Sequence, residues 1–352
     1  MYILLAILVF SVLIVAHELG HFIAAKACGV QVNEFSVFMG PKLLQVKGKE
    51  TVYSLRLIPL GGFCAMEGED EESENPRAFT AAKWWKRLII LVAGSFMNFL
   101  MGLVVVFFLY GNAEAFVAPV LTDFFEDCPY ASEEGFQPGD RIHSIDGNRV
   151  YLYSDVDLFL SRNAEQVYDI VVLRDGEKVA LNDFELKRVP YMEDGEEVMM
   201  YGFYFGTEEA TFANKLKNTW YHGIDFARLV WISLGDLVSG KVGMKDMSGP
   251  VGIVSVISET GNAAETVAAG VENVLYLGAF IAVNLAVMNM LPIPALDGGR
   301  VFFLLITTAV QAIFKKKIDP KYEGYIHAAG MILLLAFMAF ITLKDVFTLF
   351  TR

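Results

Sequence analysis

The residues best suited to chemistry are two histidines and a glutamate near the start of the chain, in the segment Ala-His-Glu-Leu-Gly-His at 16–21. His17 and His21 are four positions apart, so on a helix they share one face and can bind one metal ion together. Glu18 lies beside them and is suited to accept a proton from a metal-activated water. This spacing predicts a hydrolytic Zn²⁺ site with His17 and His21 as ligands and Glu18 as general base.

The sequence around this motif is apolar. Residues 1–16 carry no charged side chain, and the apolar character resumes at Phe22, so the stretch is long enough to cross a bilayer core of about 30 Å. A single charge at the centre of such a span costs roughly 2.5 to 3.5 kcal/mol on insertion scales. The same motif arises by chance in soluble helices, but in lipid its polar groups need partners, which favours a metal site. A cleaved signal peptide would need a positive start, which is missing here.

The composition is that of a membrane protein with a polar insert. The chain has 352 residues, of which 55% are hydrophobic, and its mean hydropathy is +0.44. Four apolar segments predict membrane spans, the third of them long and interrupted: about 1–28, 87–110, 272–314 and 325–350. The net charge is −13, and acidic residues crowd the region 114–209, which argues against a nucleic-acid partner.

Positive residues indicate which loops stay in the cytoplasm. They precede the second predicted span and follow the third: Lys83, Lys86, Arg87, Lys315, Lys316 and Lys317. We therefore expect a multi-pass protein of the cell membrane with residues 30–86 and the turn 315–324 in the cytoplasm. Residues 113–270 and both termini would lie outside. The three cysteines, Cys28, Cys64 and Cys128, fall on different sides and predict neither a disulfide framework nor a thiolate zinc site.

A catalytic zinc ion normally takes three protein ligands, and the best third candidate is Asp297. It ends the segment Asn-Met-Leu-Pro-Ile-Pro-Ala-Leu-Asp at 289–297, whose two prolines break a helix and whose following glycines let the backbone turn. A broken helix in lipid is tolerated where protein or water satisfies its backbone, so the break suggests a site. Alternatively, Asp297 simply marks a membrane boundary. The Asn289 amide is a candidate for binding substrate or an oxyanion, or for an ordinary interhelical hydrogen bond.

Together these residues resemble the site-2 protease family of intramembrane zinc metalloproteases, in its bacterial RseP/RasP-like branch with a single PDZ domain. Gly61-Gly62-Phe63, after the strand-like stretch 51–57, resembles the family's membrane-associated β-loop. The segment 93–98 resembles the family's second span, with Ser95 in place of a usual proline, which leaves the role of Asn98 open. The segment 248–253 resembles the family's approach to the third span.

The resemblance implies a polytopic α-helical membrane protein with four transmembrane segments, a cytoplasmic membrane-associated β-loop and an inserted extracytoplasmic PDZ-like β-rich domain. The expected regions are 1–112 with the first two spans and the β-loop at 30–86, 113–208 as the PDZ-like domain, 209–270 as amphipathic interfacial helices, and 271–352 with the last two spans. Within the insert, Gly-Asp at 139–140 and Asp-Gly at 175–176 lie between short apolar runs, as expected of strand-turn-strand units.

The implied activity is regulated intramembrane proteolysis: hydrolysis within or beside the transmembrane segment of a single-span substrate, such as an anti-sigma factor or a signal-peptide remnant. The edge of 51–57, with a turn at Gly61 and Gly62, would hold that substrate extended, unless it is a self-contained hairpin. The PDZ-like groove would bind a peptide or act only as a steric cap. Helix 211–240 would contact membrane lipid or pack on the insert. His143, His222 and His327 are expected to be structural.

Two other functional classes fit part of this pattern. A silent membrane scaffold would display the PDZ-like domain, but it has no need of Glu18, Asp297 and both histidines together in lipid. A metal transporter would need further acidic or histidine groups along the other spans, and the second and fourth predicted spans offer few. The sequence therefore favours the zinc protease.

Overall fold

The computed structural model describes residues 1–69, 73–193, 196–243, 247–315 and 320–351. Lys316 and Lys317, which contributed to the predicted topology, lie outside these ranges. The helices are α1 (Tyr2–Cys28), α2 (Trp84–Leu109), α3 (Tyr153–Arg162), α4 (Phe212–Val238), α5 (Pro250–Asn262), α6 (Val267–Asn289), α7 (Asp297–Phe314) and α8 (Pro320–Thr351). The strands are β1 (Val32–Lys47), β2 (Val52–Met66), β3 (Ala115–Phe124), β4 (Arg141–Ile145), β5 (Asn148–Arg149), β6 (Val167–Arg174), β7 (Glu177–Glu185), β8 (Val189–Glu193), β9 (Glu196–Met200) and β10 (Phe203–Glu209).

The chain divides into two compact units. The first is formed by residues 1–106 and 226–352 and contains the apolar helices with the β1–β2 hairpin. The second is residues 107–225 and contains the remaining strands, α3 and the first half of α4. The second unit is wider than the predicted insert at 113–208, because the start of α4 packs on the sheet and is part of the same unit.

Five described helices are long and apolar enough to cross a membrane: α1, α2, α6, α7 and α8. The predicted third span, 272–314, is therefore two helices separated by turns at residues 290–296. Pro292 and Pro294 cannot continue a helix because each lacks a backbone N–H, and Ala295 adopts a left-handed φ of 81°. The predicted break in the third span is therefore present. The four predicted spans correspond to five apolar helices, because the third span contains both α6 and α7.

The first helix is held by close packing at both ends. At its C-terminus Gly29 takes a left-handed φ of 82° and its N–H caps the carbonyls of Ala25 and Lys26. Near its N-terminus the Tyr2 ring lies against Gly261 and Gly270, where an added Cβ would come within 2.2 to 2.5 Å of the ring or its hydroxyl. Small residues thus let α1 approach α5 and α6 as closely as helices do in membranes.

A carboxylate of α8 fixes the start of α5. Asp345 Oδ2 accepts hydrogen bonds from the backbone amides of Gly249 and Gly252, both at 2.8 Å. An acidic group at a helix N-terminus satisfies unpaired amides and interacts well with the helix dipole. This contact explains the two glycines of the segment 248–253, whose amides bind the carboxylate, and it gives Asp345 a structural role.

The β1–β2 hairpin is folded back on itself. Residues 34–37 pair with 62–65 on one side and with 52–55 on the other, and 44–47 pair with the far side of 52–55. Positive φ angles at Phe38, Gly40 and Gly61 allow both strands to bend. Gly61 and Gly62 lie inside the bounds of β2, but the chain reverses direction between 52–55 and 62–65, and the left-handed φ of 82° at Gly61 belongs to this bend, so the predicted turn is present within the strand. The stretch 52–55, predicted to offer an edge, is paired on both sides.

The second unit is built on a twisted antiparallel sheet with the strand order β10-β3-β4-β6-β7. The predicted Asp-Gly hairpin is confirmed, because β6 and β7 pair across Asp175 and Gly176, which both have left-handed φ angles. The fully buried Asp140 carboxylate receives two hydrogen bonds of 2.8 Å from the Arg174 guanidinium. This bidentate pair closes the loop before β4.

The half of α4 within this unit, residues 212–225, is amphipathic, as predicted for 211–240. Phe212, Leu216 and Trp220 recur every four residues and are 70%, 48% and 53% exposed. The opposite face packs inside the unit, where Asn218 and Asp225 are buried. The exposed face is therefore compatible with the predicted contact with membrane lipid, and the buried face with the predicted packing on the insert.

A buried acid links α3 to α4 in the second unit. The Asp155 carboxylate accepts hydrogen bonds from the amides of Tyr151 and Leu152 and faces Asp225. Burial raises the pKa of Asp155 to about 6; the two amides oppose this rise and the Asp225 carboxylate adds to it. Because the folded state holds the proton more tightly than the unfolded state, stability is present at low pH and is lost as the pH rises through about 6.

We predict that Asp155→Asn stabilises this unit at pH 7, since the amide keeps an acceptor for the two N–H groups and cannot ionise. The pKa difference corresponds to roughly 3 kcal/mol at neutral pH. The melting temperature of the full chain in detergent should fall less between pH 4 and pH 7.5 in the variant than in the wild type. Asp157→Asn, on an exposed position of the same helix, is the control. An unchanged decline in Asp155→Asn would contradict the assignment.

Candidate active site

Three predicted ligands come together in the first unit. His17 and His21 lie on one face of α1, and Asp297 is the first residue of α7. The two Nε2 atoms are 3.2 Å apart, and Asp297 Oδ2 lies 3.2 Å from His17 Nε2 and 3.3 Å from His21 Nε2. The three side chains are 13%, 9% and 19% exposed, so the donor atoms are mostly withdrawn from solvent.

These distances fit a metal ion. Ligands placed about 2.0 to 2.1 Å from a tetrahedral zinc ion lie about 3.3 to 3.4 Å from one another, close to the three spacings found here. Asp297 Oδ2 is buried and receives no well-formed hydrogen bond among the described residues. Three electron-pair donors converging in an apolar setting repel one another unless a cation lies between them. Two imidazoles and one carboxylate are a donor set typical of catalytic zinc, with a fourth position left for water.

Space for the ion is provided by glycine. Gly94 on α2 faces the two imidazoles, and a Cβ at this position would lie 2.3 Å from His21 Nε2 and 2.8 Å from His17 Cε1. Gly20, inside the histidine motif, packs on the same helix, where a Cβ would lie 2.3 Å from the Ala93 carbonyl oxygen. The two glycines therefore bring α1 and α2 into backbone contact beside the metal-binding atoms.

The same wall of α2 orients the imidazoles. His21 Nδ1 lies 2.8 Å from the carbonyl oxygen of Ile90, which can only accept, so Nδ1 is the protonated nitrogen and Nε2 is free to bind a metal. His17 Nδ1 lies 3.4 Å from the Asn98 amide. Ile90, Gly94 and Asn98 follow one another at intervals of four residues and thus form a single stripe on α2.

Glu18 lies between the triad and the β1–β2 hairpin. Both histidines and Asp297 are its electrostatic neighbours, together with the backbone of Cys64. A Cβ at Gly62 would lie 3.3 Å from Glu18 Cγ, so the backbone of β2 passes directly over the glutamate. Burial raises the pKa of the Cys64 thiol to about 12, so the thiol beside Glu18 stays protonated at neutral pH.

Asp297 is positioned by contacts on both sides of the helix break. Cβ atoms at Gly298 and Gly299 would lie 2.3 Å from carbonyl oxygens of residues 290–293, so only glycine lets the break fold against the start of α7. From α8, His327 Nδ1 accepts a hydrogen bond of 3.0 Å from the Ala295 amide. His327 was predicted to be structural, and its contact shows that it holds the segment that ends at Asp297.

A salt bridge connects the hairpin to the helix of the third ligand. Arg300, one turn after Asp297, donates from Nη1 to the carboxylate of Glu69, which follows β2. The Glu69 carboxylate is 15% exposed and Arg300 is 32% exposed, so the pair is partly shielded from water. The position of the hairpin and the start of α7 are therefore linked.

The remaining predicted residues are placed differently. Gly62 lies beside Glu18 and Gly61 is next to it in β2, where a Cβ would meet the Met39 side chain at 2.7 Å. Asn289 is the last residue of α6, and among the described residues its amide forms no hydrogen bond with the triad. An oxyanion-binding role for Asn289 therefore remains a prediction.

We predict that Gly94→Ala strongly weakens metal binding, because its methyl group would lie against both imidazoles. Zinc content of the purified full chain, measured by elemental analysis, should fall by at least about tenfold. Gly102→Ala, at a helix-packing position of α2 away from the triad, is the control for general packing damage. Full zinc content in Gly94→Ala would show that the ion does not lie where the three donors converge.

Comparison with known proteins identifies the family of this chain. The sequence profile of peptidase family M50 matches residues 5–337. A protein of Clostridium acetobutylicum, provisionally named a zinc metalloprotease, is 37% identical over 347 residues, covering 98% of this chain and 97% of its own. The zinc metalloprotease RasP of Bacillus licheniformis is 29% identical, and the regulator of sigma-W protease RasP of Bacillus subtilis is 27% identical, each covering 98% of both chains. The chain therefore belongs to peptidase family M50, the site-2 proteases, and is a zinc metallopeptidase of the membrane.

Proposed function

We propose that this metallopeptidase hydrolyses peptide bonds within or next to the transmembrane segments of single-span membrane proteins. The observation that carries the proposal is the triad of His17, His21 and Asp297, with donor atoms 3.2 to 3.3 Å apart, built from helices that are long and apolar enough to span a bilayer. A soluble protease would have no reason to place three metal ligands and a general base in such helices.

Each residue has a defined task in this proposal. His17 Nε2, His21 Nε2 and Asp297 Oδ2 would hold the zinc ion, which would supply Lewis acidity toward the scissile carbonyl and the attacking water. Glu18 accepts the proton of the attacking water and passes it to the leaving amine. The Ile90 carbonyl keeps the proton of His21 on Nδ1, so that Nε2 remains available.

The substrate must be extended before attack, because an intact helix keeps its carbonyl groups hydrogen-bonded and enclosed. Among the described residues, the only strand segment that pairs with 62–65 is 34–37, and the Cys64 backbone also hydrogen-bonds to Glu18; an extended chain can add along the edge that no strand occupies. Gly62 brings that edge next to Glu18. We therefore assign substrate capture to 62–65 in place of the originally predicted stretch 51–57.

The second unit controls access in this proposal. Its sheet and α3 are consistent with a PDZ-like domain whose outer strand β10 lies beside α3, and the ring centroids of Phe205 on β10 and Tyr153 on α3 are 4.7 Å apart. Such a domain either binds an extended peptide along β10 or excludes substrates with bulky ectodomains. An anti-sigma factor or a signal-peptide remnant fits this restriction, and the Bacillus subtilis relative is named a regulator of sigma-W protease.

We predict that Glu18→Gln reduces cleavage of a single-span reporter by about 10² to 10⁴, since a general base contributes that much to proton transfer. Cleavage of a tagged reporter is followed by immunoblotting in cells that co-express each variant. Glu18→Gln should retain zinc, whereas His17→Ala should lose both zinc and activity. Equal cleavage by the wild type and Glu18→Gln would exclude Glu18 as the base.

We also propose that α6 and α7 form one broken span, which gives four crossings of the cell membrane and places both termini outside. The positive residues before α2 then face the cytoplasm with the hairpin, and the second unit faces outward. The face of Phe212, Leu216 and Trp220 would rest on lipid headgroups.

Labelling of single cysteines tests this topology. In a variant without the native cysteines, an impermeant maleimide added to intact cells should label Glu177→Cys and a cysteine appended after Arg352, but not Lys49→Cys. Both substituted side chains are exposed in the structure, so protein burial does not protect them. Loss of labelling at the C-terminus alone would mean that α7 crosses the membrane separately.

A further inference from the structure

A buried amide faces the outer nitrogen of a metal-ligand histidine. Asn98, on α2, is only 1% exposed, and its Nδ2 lies 3.4 Å from His17 Nδ1. Asn98 Oδ1 is buried as well and has no hydrogen-bond partner among the described residues. A buried carbonyl oxygen without a donor is uncommon and calls for an explanation.

The explanation follows from the protonation of the histidine. If His17 binds the zinc ion through Nε2, the proton of the neutral ring must be on Nδ1, which then acts as a donor. Nδ2 of Asn98 is a donor too, so the two groups cannot hydrogen-bond as they stand. A half-turn of the amide exchanges its oxygen and nitrogen, which have nearly the same shape, and brings Oδ1 to the Nδ1 proton. The orphan oxygen then has its donor.

The other histidine shows the same arrangement one turn away. His21 Nδ1 lies 2.8 Å from the carbonyl oxygen of Ile90, which is also on α2. The outer nitrogens of both imidazoles thus face hydrogen-bonding groups of α2.

We propose that Asn98 is a positioning residue of the zinc site: its Oδ1 accepts the Nδ1 proton of His17 and thereby fixes the tautomer and the orientation of that ring. The inference rests on the proposed role of His17 as a zinc ligand. Asn98 contacts no substrate in this assignment and acts only through His17. Loss of such an outer partner typically weakens metal binding by about 10- to 100-fold.

The test is the zinc affinity of the purified full chain in detergent, measured by competition with a chromophoric chelator. Asn98→Ala and Asn98→Leu should bind zinc about 10- to 100-fold more weakly, because neither can accept the proton. Asn98→Asp should restore the affinity, since a carboxylate oxygen accepts it well. Ser11→Ala, which removes a buried hydroxyl from α1, is the control, and its zinc affinity should equal that of the wild type.

A spectroscopic measurement separates positioning from general damage. The visible spectrum of the Co²⁺-substituted protein should shift in Asn98→Ala and return toward the wild-type spectrum in Asn98→Asp, because ring orientation changes the ligand field. Unchanged zinc affinity in both apolar variants, or equal loss in Asn98→Asp and Asn98→Ala, would overturn the proposal. His17→Ala tests its premise: if this variant binds zinc as tightly as the wild type, the proposed site itself is wrong.

Discussion

The structure depends on the convergence of three electron-pair donors in a setting with little water. An imidazole pair and a carboxylate at 3.2 to 3.3 Å from one another are unfavourable without a cation and strongly favourable with one. Every element around them serves that convergence. The first helix supplies two donors by its own periodicity, but the third must come from a distant part of the chain, and this requires the break between α6 and α7.

Close approach of backbones is the second constraint. The imidazoles and backbone of α1 lie directly against the backbone of α2, which leaves no space for side chains at Gly20 and Gly94. Once the backbones are this close, α2 can also supply the Ile90 carbonyl to His21. The stripe of Ile90, Gly94 and Asn98 on α2 thus makes space for the imidazoles and orients them. Replacing any of these residues is expected to affect metal binding and not the membrane-facing surface.

Local patterns made part of this site predictable. The spacing of His17 and His21 is a property of one helix, and the prolines before Asp297 break a helix in any context. Contacts between distant segments were not predictable in this way. Gly94 and Ile90 appear unremarkable in an apolar span, although their spacing of four with Asn98 was visible. The hairpin edge was assigned to 51–57, because the sequence does not reveal that β1 bends and pairs with β2 twice.

Asp297 is the ligand whose position depends on the most partners. His327 of α8 holds the amide of Ala295 just before it, and Glu69 holds Arg300 just after it. Glu69 follows the same strand whose edge at 62–65 is proposed to bind the substrate. The ion pair of Glu69 and Arg300 therefore ties the strand that carries this edge to the first turn of α7, so the hairpin and the third ligand are positioned together.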